Sequence, residues 1–130
     1  MILDTIGKGD VILARIRYEE DKTQSKIRPA VVVETHSGFL SVIALMVTSA
    51  PPRSDFDYQV LDWALAGLHK PSTVRTARSE ELESKDVIKK LGTLSQSDFD
   101  KVYVLYKQLA TMSISDKTTS YINPQPRIYQ

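Results

Sequence analysis

The sequence predicts a mainly β protein, a small antiparallel barrel carrying short helices and one C-terminal helix. Short Val/Ile-rich apolar runs, too brief for buried helices, follow one another through the first half of the chain. A single stretch near the C-terminal end, Phe99 to Leu109, holds a clear helical period. No repeat or linker divides the 130 residues, a length suited to one domain. Many short strands followed by a terminal helix fit a sheet closed around a core with the helix packed on it.

The elements follow in order. GKGD at 7–10 lacks the spacing and the preceding strand of a phosphate-binding loop and reads as a turn. In VILARIRY, Val11, Leu13, Ile16 and Tyr18 are interleaved with arginines, as in a half-buried strand. EEDKTQSK contributes no core residue and is a polar loop. RPAVVVET and FLSVIALMVTS, separated by His36-Ser37-Gly38, form a hairpin with Gly38 in its turn. The two prolines of APPRSDFD then forbid further pairing. YQVLDWALAGLHKPSTVRTA holds a short strand, one helical turn around Trp63 ended by Gly67, and a strand at STVRT. A short helix is expected from Ser84 to Leu91, capped by Ser84 and stopped at Gly92. For the last helix, Ser95 and Asp98 have capping-box spacing, and Phe99, Val102, Tyr103, Tyr106 and Leu109 share a face. Asp98 and Asp100 near its start and Lys107 near its end suit the macrodipole. Residues 111–130, rich in Ser and Thr with two prolines, read as a flexible tail outside a domain of residues 1–110.

Composition excludes several functions. Seventeen basic against sixteen acidic residues give a net charge of +1, so contact with phosphate requires a local patch. The absence of cysteine removes disulfides, thiolate nucleophiles and zinc ribbons. His36 and His69 are too few for most histidine metal cages. Asp55, Asp57 and Asp62, like Glu19, Glu20 and Asp21, read as solvated loops rather than a converging oxygen site. No metal or other cofactor is expected. No G-x-S-x-G elbow is present. No apolar run approaches the ~18 residues of a membrane span. Met1-Ile2-Leu3 meets Asp4 at once, unlike a signal peptide, so no membrane association and a cytoplasmic location are expected.

One constellation stands out. Lys26 and Arg28 flank Ile27 at strand period, at the entrance of a buried strand. On composition alone, such a pair solubilises a strand end. A second strand finishes in the hydroxyls Thr48-Ser49, and Arg75 sits within a third. Should these ends converge, the result is a pocket of guanidiniums and hydroxyls without carboxylates. That chemistry suits a phosphodiester, because arginine forks phosphate oxygens and stabilises charge developing on them.

Taken in series, GDVILARI, KIRPAVVVET, IALMVTS, LDWALAGLHKPSTVR and KKLGTLSQSDFDKVYVLYKQL resemble the PemK/MazF family of toxin endoribonucleases over residues 7–110. The resemblance implies an SH3-like (CcdB/MazF-type) barrel, a homodimer, and metal-free cleavage of single-stranded RNA. It also implies a cognate antitoxin whose extended segment occupies the RNA groove. Arg28 matches the family's catalytic arginine and Thr48 its catalytic threonine. Ser49 follows as a substrate contact, and Arg75 matches a later arginine or lysine. Lys26, Arg53 and Lys70 complete the expected phosphate contacts. The acid of some members falls on Ala77, a departure, and the histidine some carry between the first two strands is missing. His69 and, less so, His36 are candidates for the general base; Tyr18 and Trp63 are candidates for base stacking, although Trp63 in such a loop is more often a core anchor. Two alternatives remain beside the nuclease: a binding module of the gyrase-inhibitor type, which has no use for Arg28 and Thr48, and a degenerate, inactive member.

Overall fold

The computed structural model describes residues 2–17, 23–36 and 41–119. After a 3-10 turn at Ile2–Thr5, the chain forms β1 (Asp10–Arg17), β2 (Ser25–His36), β3 (Ser41–Thr48), β4 (Asp57–Gln59) and β5 (Thr73–Glu83). A 3-10 turn at Ser84–Asp86 leads into β6 (Val87–Thr93), and α1 (Gln96–Thr119) ends the described chain. The strands form one sheet in the order β4-β5-β3-β2-β1-β6, with every pairing antiparallel. The mainly β architecture with a C-terminal helix is as expected. The sheet is not a closed barrel, however; among the described residues no ladder joins β4 to β6.

Curvature lets this open sheet bury both faces. The ladder shifts register between Val32 and Glu34 and again between Leu45 and Met46. Such bulges bend a strand and increase its twist. One face gathers Ile12, Ala14, Ile16, Ala30, Val32 and Ala44, closed by Leu3 of the first turn and Ile6 just after it. The other gathers Val11, Val31, Leu45, Val47 and Val74 beneath Val102 of α1. Val11 and Ile12 are neighbours pointing to opposite sides, and both are 0% exposed. This is why the strands read as apolar runs rather than as strict alternation. Trp63 packs against the second core.

Two expectations are corrected. Residues 84–91 are not a helix: after one 3-10 turn, Val87 is buried in the first core and β6 pairs along β1. Strand pairing overrides a local pattern that fits either element. The helix α1 also continues past Ala110 to Thr119, into the segment expected as tail. Residues 120–130, the Gly38 turn, Tyr18 and the acidic Glu19-Glu20-Asp21 lie outside the described residues. The pairing of His36 with Ser41 brackets that turn as a hairpin should.

The start of α1 is tied down by more than a cap. The Ser95 hydroxyl accepts from the Asp98 amide at 3.1 Å, as the capping pattern requires. The Asp98 carboxylate, 0% exposed, turns away from the helix. It accepts from the Tyr58 hydroxyl at 2.5 Å, the Asp62 amide at 2.9 Å and the Leu61 amide at 3.1 Å. Burial pushes this carboxyl up, but the hydrogen bonds from Tyr58 and the Asp62, Leu61 and Ser95 groups outweigh it and hold its pKa below the ordinary value. Burial, with the Asp98 carboxylate, raises Tyr58 in turn.

A carboxyl depressed by folding contributes stability above its unfolded pKa and loses it as pH falls through the folded value. Asp98→Asn is therefore expected to lower stability at pH 7 by about 2 kcal/mol. The acid-side loss of stability should be correspondingly shallower. Urea unfolding from pH 7 down to pH 2 measures both. Equal stability of variant and wild type throughout would show that the carboxylate contributes nothing.

Candidate active site

The site forms where β2 and β3 part. Their ladder runs to Ala30 opposite Met46 and stops. Continuing that register would place Pro29 opposite Val47 and Arg28 opposite Thr48. Pro29 has no N–H to donate to a neighbouring strand, which fits an end of pairing here. Meanwhile β2 stays paired to β1 as far as Ser25, and β3 stays paired to β5 through Thr48 and Thr73. The two strands are thus held apart by their outer partners, with Arg28 on one lip of the split and Thr48 on the other.

Two cavities meet along this split, and both are lined by Lys26, Arg28, Val47 and Thr48. The smaller, about 150 Å³, adds Arg17, Arg75 and Arg78 over a floor of Ile16 and Met46. The larger, about 440 Å³, adds Ser49, His69, Lys70, Ser72 and Lys89 to apolar walls from β1, β2 and β6. Among the described residues, no aspartate or glutamate lines either cavity. Arg17 has Asp86 Oδ1 at 3.7 Å, behind the lining. The groove is therefore a concentrated positive patch on a chain whose net charge is +1. Among the described residues, no group of three or more His, Asp or Glu side chains is placed to hold a metal ion.

Local structure orients several of these groups. The Thr48 hydroxyl oxygen accepts from the Ala50 amide at 3.2 Å, which leaves its hydrogen to donate elsewhere. The second bulge does more. Across it, β3 steps from Ser79 to Arg75 as partner, so Thr76, Ala77 and Arg78 bulge out of the β3 register. Thr76 anchors the bulge by donating from both its amide and its hydroxyl to the Phe56 carbonyl. As a result Arg75 and Arg78, three apart in sequence, line one cavity. In a regular strand that spacing puts them on opposite faces. Ala77 is exposed on this bulge.

The structure thus brings together Lys26, Arg28, Thr48, Ser49, Lys70 and Arg75 along one groove, with His69 in its larger part. Arg53 is not among the lining residues; it sits exposed in the loop before β4, where its amide donates to Asp57 Oδ2 at 2.9 Å. His36 ends β2, its Nδ1 3.9 Å from Glu81 Oε2, and lines neither cavity. Sequence reasoning missed Arg17, Arg78 and Lys89. Arg17 is one of the interleaved arginines of the first strand, Arg78 needed knowledge of the bulge, and Lys89 fell in a segment read as helix.

Comparison with known proteins decides the family. The family model for the PemK-like, MazF-like toxin of type II toxin–antitoxin systems matches residues 7–112. The chain belongs to this toxin family. The match spans the whole groove and ends within α1. No curated protein matches the sequence. Among solved structures, the chain resembles an endoribonuclease in complex with its cognate antitoxin from a mycobacterial species, with TM-score 0.63 and 14% identity over 92% of this chain and 97% of that one. It also resembles MazF in a MazE–MazF structure from Deinococcus radiodurans, with TM-score 0.63 and 15% identity over 82% and 96%. The Mycobacterium tuberculosis toxin MazF-mt6 gives TM-score 0.59 and 16% identity over 77% and 96%. At these identities the PemK/MazF likeness is one of fold. No described helix of this toxin-family chain is long and apolar enough to cross a membrane.

Proposed function

We propose that the protein is an endoribonuclease toxin that cleaves single-stranded RNA without a metal ion, giving a 2′,3′-cyclic phosphate and a free 5′-hydroxyl. The observation that carries this reading is the placement of Arg28 and Thr48 on the two lips of a cationic groove with no carboxylate among its described lining residues. A ribose 2′-hydroxyl loses its proton and attacks the adjacent phosphorus in line, so that the O2′–P bond forms as the P–O5′ bond breaks and the leaving 5′-oxygen takes a proton from solvent. Negative charge grows on the non-bridging oxygens, where the Arg28 fork stabilises it. Thr48, its oxygen already engaged by the Ala50 amide, donates to a phosphate oxygen or orients the 2′-hydroxyl. Lys26, Lys70, Arg75 and the bulge-borne Arg78 hold the flanking phosphates, with Ser49 beside them. Arg53, in the adjoining loop, reaches RNA that extends past the groove. His69 is the imidazole available in the larger cavity for the 2′-hydroxyl proton.

The protein acts as a homodimer and is neutralised by a cognate antitoxin lying in the groove. Support for the antitoxin comes from the type II system of its family and from relatives solved with antitoxin partners. Support for self-association comes from Leu61, Leu65 and Val104, which are 72%, 70% and 54% exposed. Burying these side chains against a second copy would remove apolar surface from water and so favour association.

Purified protein incubated with mixed-sequence RNA in EDTA tests the reading. Cleavage is expected to persist, and the same preparation should sediment as a dimer. Activity that vanishes in EDTA and returns with magnesium contradicts it. Absence of cleavage in both conditions favours an inactive member, for which Ala77 on the bulge is the residue to suspect.

A further inference from the structure

Arg17, Lys26, Arg28, Arg75 and Arg78 all line the smaller cavity, of about 150 Å³. Like charges crowded this closely repel, and a long side chain relieves the repulsion by swinging into solvent. Arg17 has room to do so, since it is the last residue of β1 and its side chain is 46% exposed. What opposes that movement lies behind it. Asp86 Oδ1 stands 3.7 Å from Arg17 Nη1, an ion-pair distance.

Asp86 is itself fixed. It is buried at the end of the 3-10 turn Ser84–Asp86, where its Oδ2 accepts from the Glu83 amide at 3.0 Å. Val87, next in the chain, is anchored in the first core. Glu83 and Lys85, the other charges around this turn, pair with each other at 3.7 Å on its exposed side. One carboxylate oxygen of Asp86 thus serves the turn and the other faces Arg17. The Arg17 backbone is held too, by pairing with Ser25 of β2. A guanidinium carries five N–H donors, so an edge turned to Asp86 leaves others for the cavity.

Asp86 therefore acts on an anionic ligand in two opposed ways. As a charge, it subtracts from the positive field of the groove and weakens binding. As an anchor, it holds the Arg17 fork at the cavity before the ligand arrives, which lowers the ordering cost of binding. The first effect is screened by salt over the added distance, because Asp86 lines neither cavity. The second acts at contact, and it prevails. We propose that Asp86 is a positioning residue that holds Arg17 at the smaller cavity, where Arg17 grips a phosphate of the bound single strand. The proposal rests on the nuclease reading for the identity of that ligand.

Binding of the full-length protein to a single-stranded RNA with fluorine in place of each 2′-hydroxyl, which the proposed reaction cannot cut, tests this across a salt series. Arg17→Gln is expected to weaken binding about tenfold and to lower the slope of log K against log salt by about 0.7, one phosphate contact. Asp86→Asn keeps an acceptor for the Glu83 amide and removes only the charge. It should weaken binding about threefold or more, whereas a sum of charges requires it to tighten. On the Arg17→Gln background, Asp86→Asn should weaken nothing further. Urea unfolding shows which variants are folded. Tighter or unchanged binding by Asp86→Asn overturns the proposal, and so does equal weakening in both backgrounds, the mark of a general structural role. Should Asp86→Asn not fold, the wild type decides. Its Arg17 Nε–H, identified by the nuclear magnetic resonance signal that Arg17→Lys removes, should have an order parameter above about 0.6 without ligand, and a lower value overturns the proposal. Failure of the wild type to bind the strand overturns this proposal and the nuclease reading together. The expected binding differences without cleavage of ordinary RNA overturn the nuclease reading and leave the positioning role standing.

Discussion

Arg28→Ala is expected to slow RNA cleavage by about 10²–10³-fold under single-turnover conditions, the usual loss when one donor to a developing oxyanion is removed. The side chain sits at the lip of the split, lines both cavities and is only half-buried. Its removal opens no core void, so stability should change by about 1 kcal/mol or less. Arg28→Lys should recover activity in part, because an ammonium cannot fork two phosphate oxygens. Thr48→Val keeps the shape, deletes the hydroxyl and should also slow cleavage strongly. A folded Arg28→Ala variant that cleaves at close to the wild-type rate removes the chemical role assigned to the split.

The largest stability effect is expected away from any charged group, at Gly67. Its φ of +86° lies in the left-handed region, where a side chain costs about 1–2 kcal/mol. A Cβ placed there would stand 2.1 Å from the Leu91 carbonyl oxygen and 2.6 Å from its carbon. Those are backbone atoms of β6 and cannot swing aside. The contact is reciprocal, since a Cβ on Gly92 would meet the Ala66 carbonyl oxygen at 2.5 Å. Two bare backbones therefore lie against each other here, fixing the loop that carries His69 and Lys70 onto the sheet edge that carries Lys89. Gly67→Ala should lower stability by about 4 kcal/mol or more, combining strain and overpacking. Chemical denaturation measures it. A loss below about 1 kcal/mol would mean the loop and β6 separate easily.

Gly67 was legible as the end of a helical turn around Trp63, and it closes one: the Ala66 amide donates to the Asp62 carbonyl, the Leu68 amide to that of Trp63 and the Gly67 amide to that of Ala64, with Gly67 at positive φ. Gly92 was expected to stop a helix and instead lies within β6. The close approach of the two glycines depends on contact between segments 25 residues apart, which local pattern cannot show. The same holds for β6. Val87, Ile88 and Leu91 fit a helix face as well as a strand, and only pairing with β1 decides. By contrast β1, β2 and β3 were legible, because both their faces are buried and their apolar runs are dense. Arg28 and Thr48 were legible because each closes or opens such a run. Arg78 was not, since strand period puts it on the face opposite Arg75 until the bulge is known. Asp98 was read as a capping residue, yet its carboxylate serves Tyr58 and a loop almost 40 residues earlier.

The central claim is that the split positions an RNA phosphate for attack by its own 2′-hydroxyl. Mass analysis of the fragments made in EDTA tests it most directly, using an RNA cut at one bond and a copy with that single 2′-hydroxyl replaced by hydrogen. The account predicts a 2′,3′-cyclic phosphate on the 5′ fragment, a free 5′-hydroxyl on the other, and no cut in the deoxy copy. A 5′-phosphate product, or cleavage of the deoxy copy at the same bond, would contradict it.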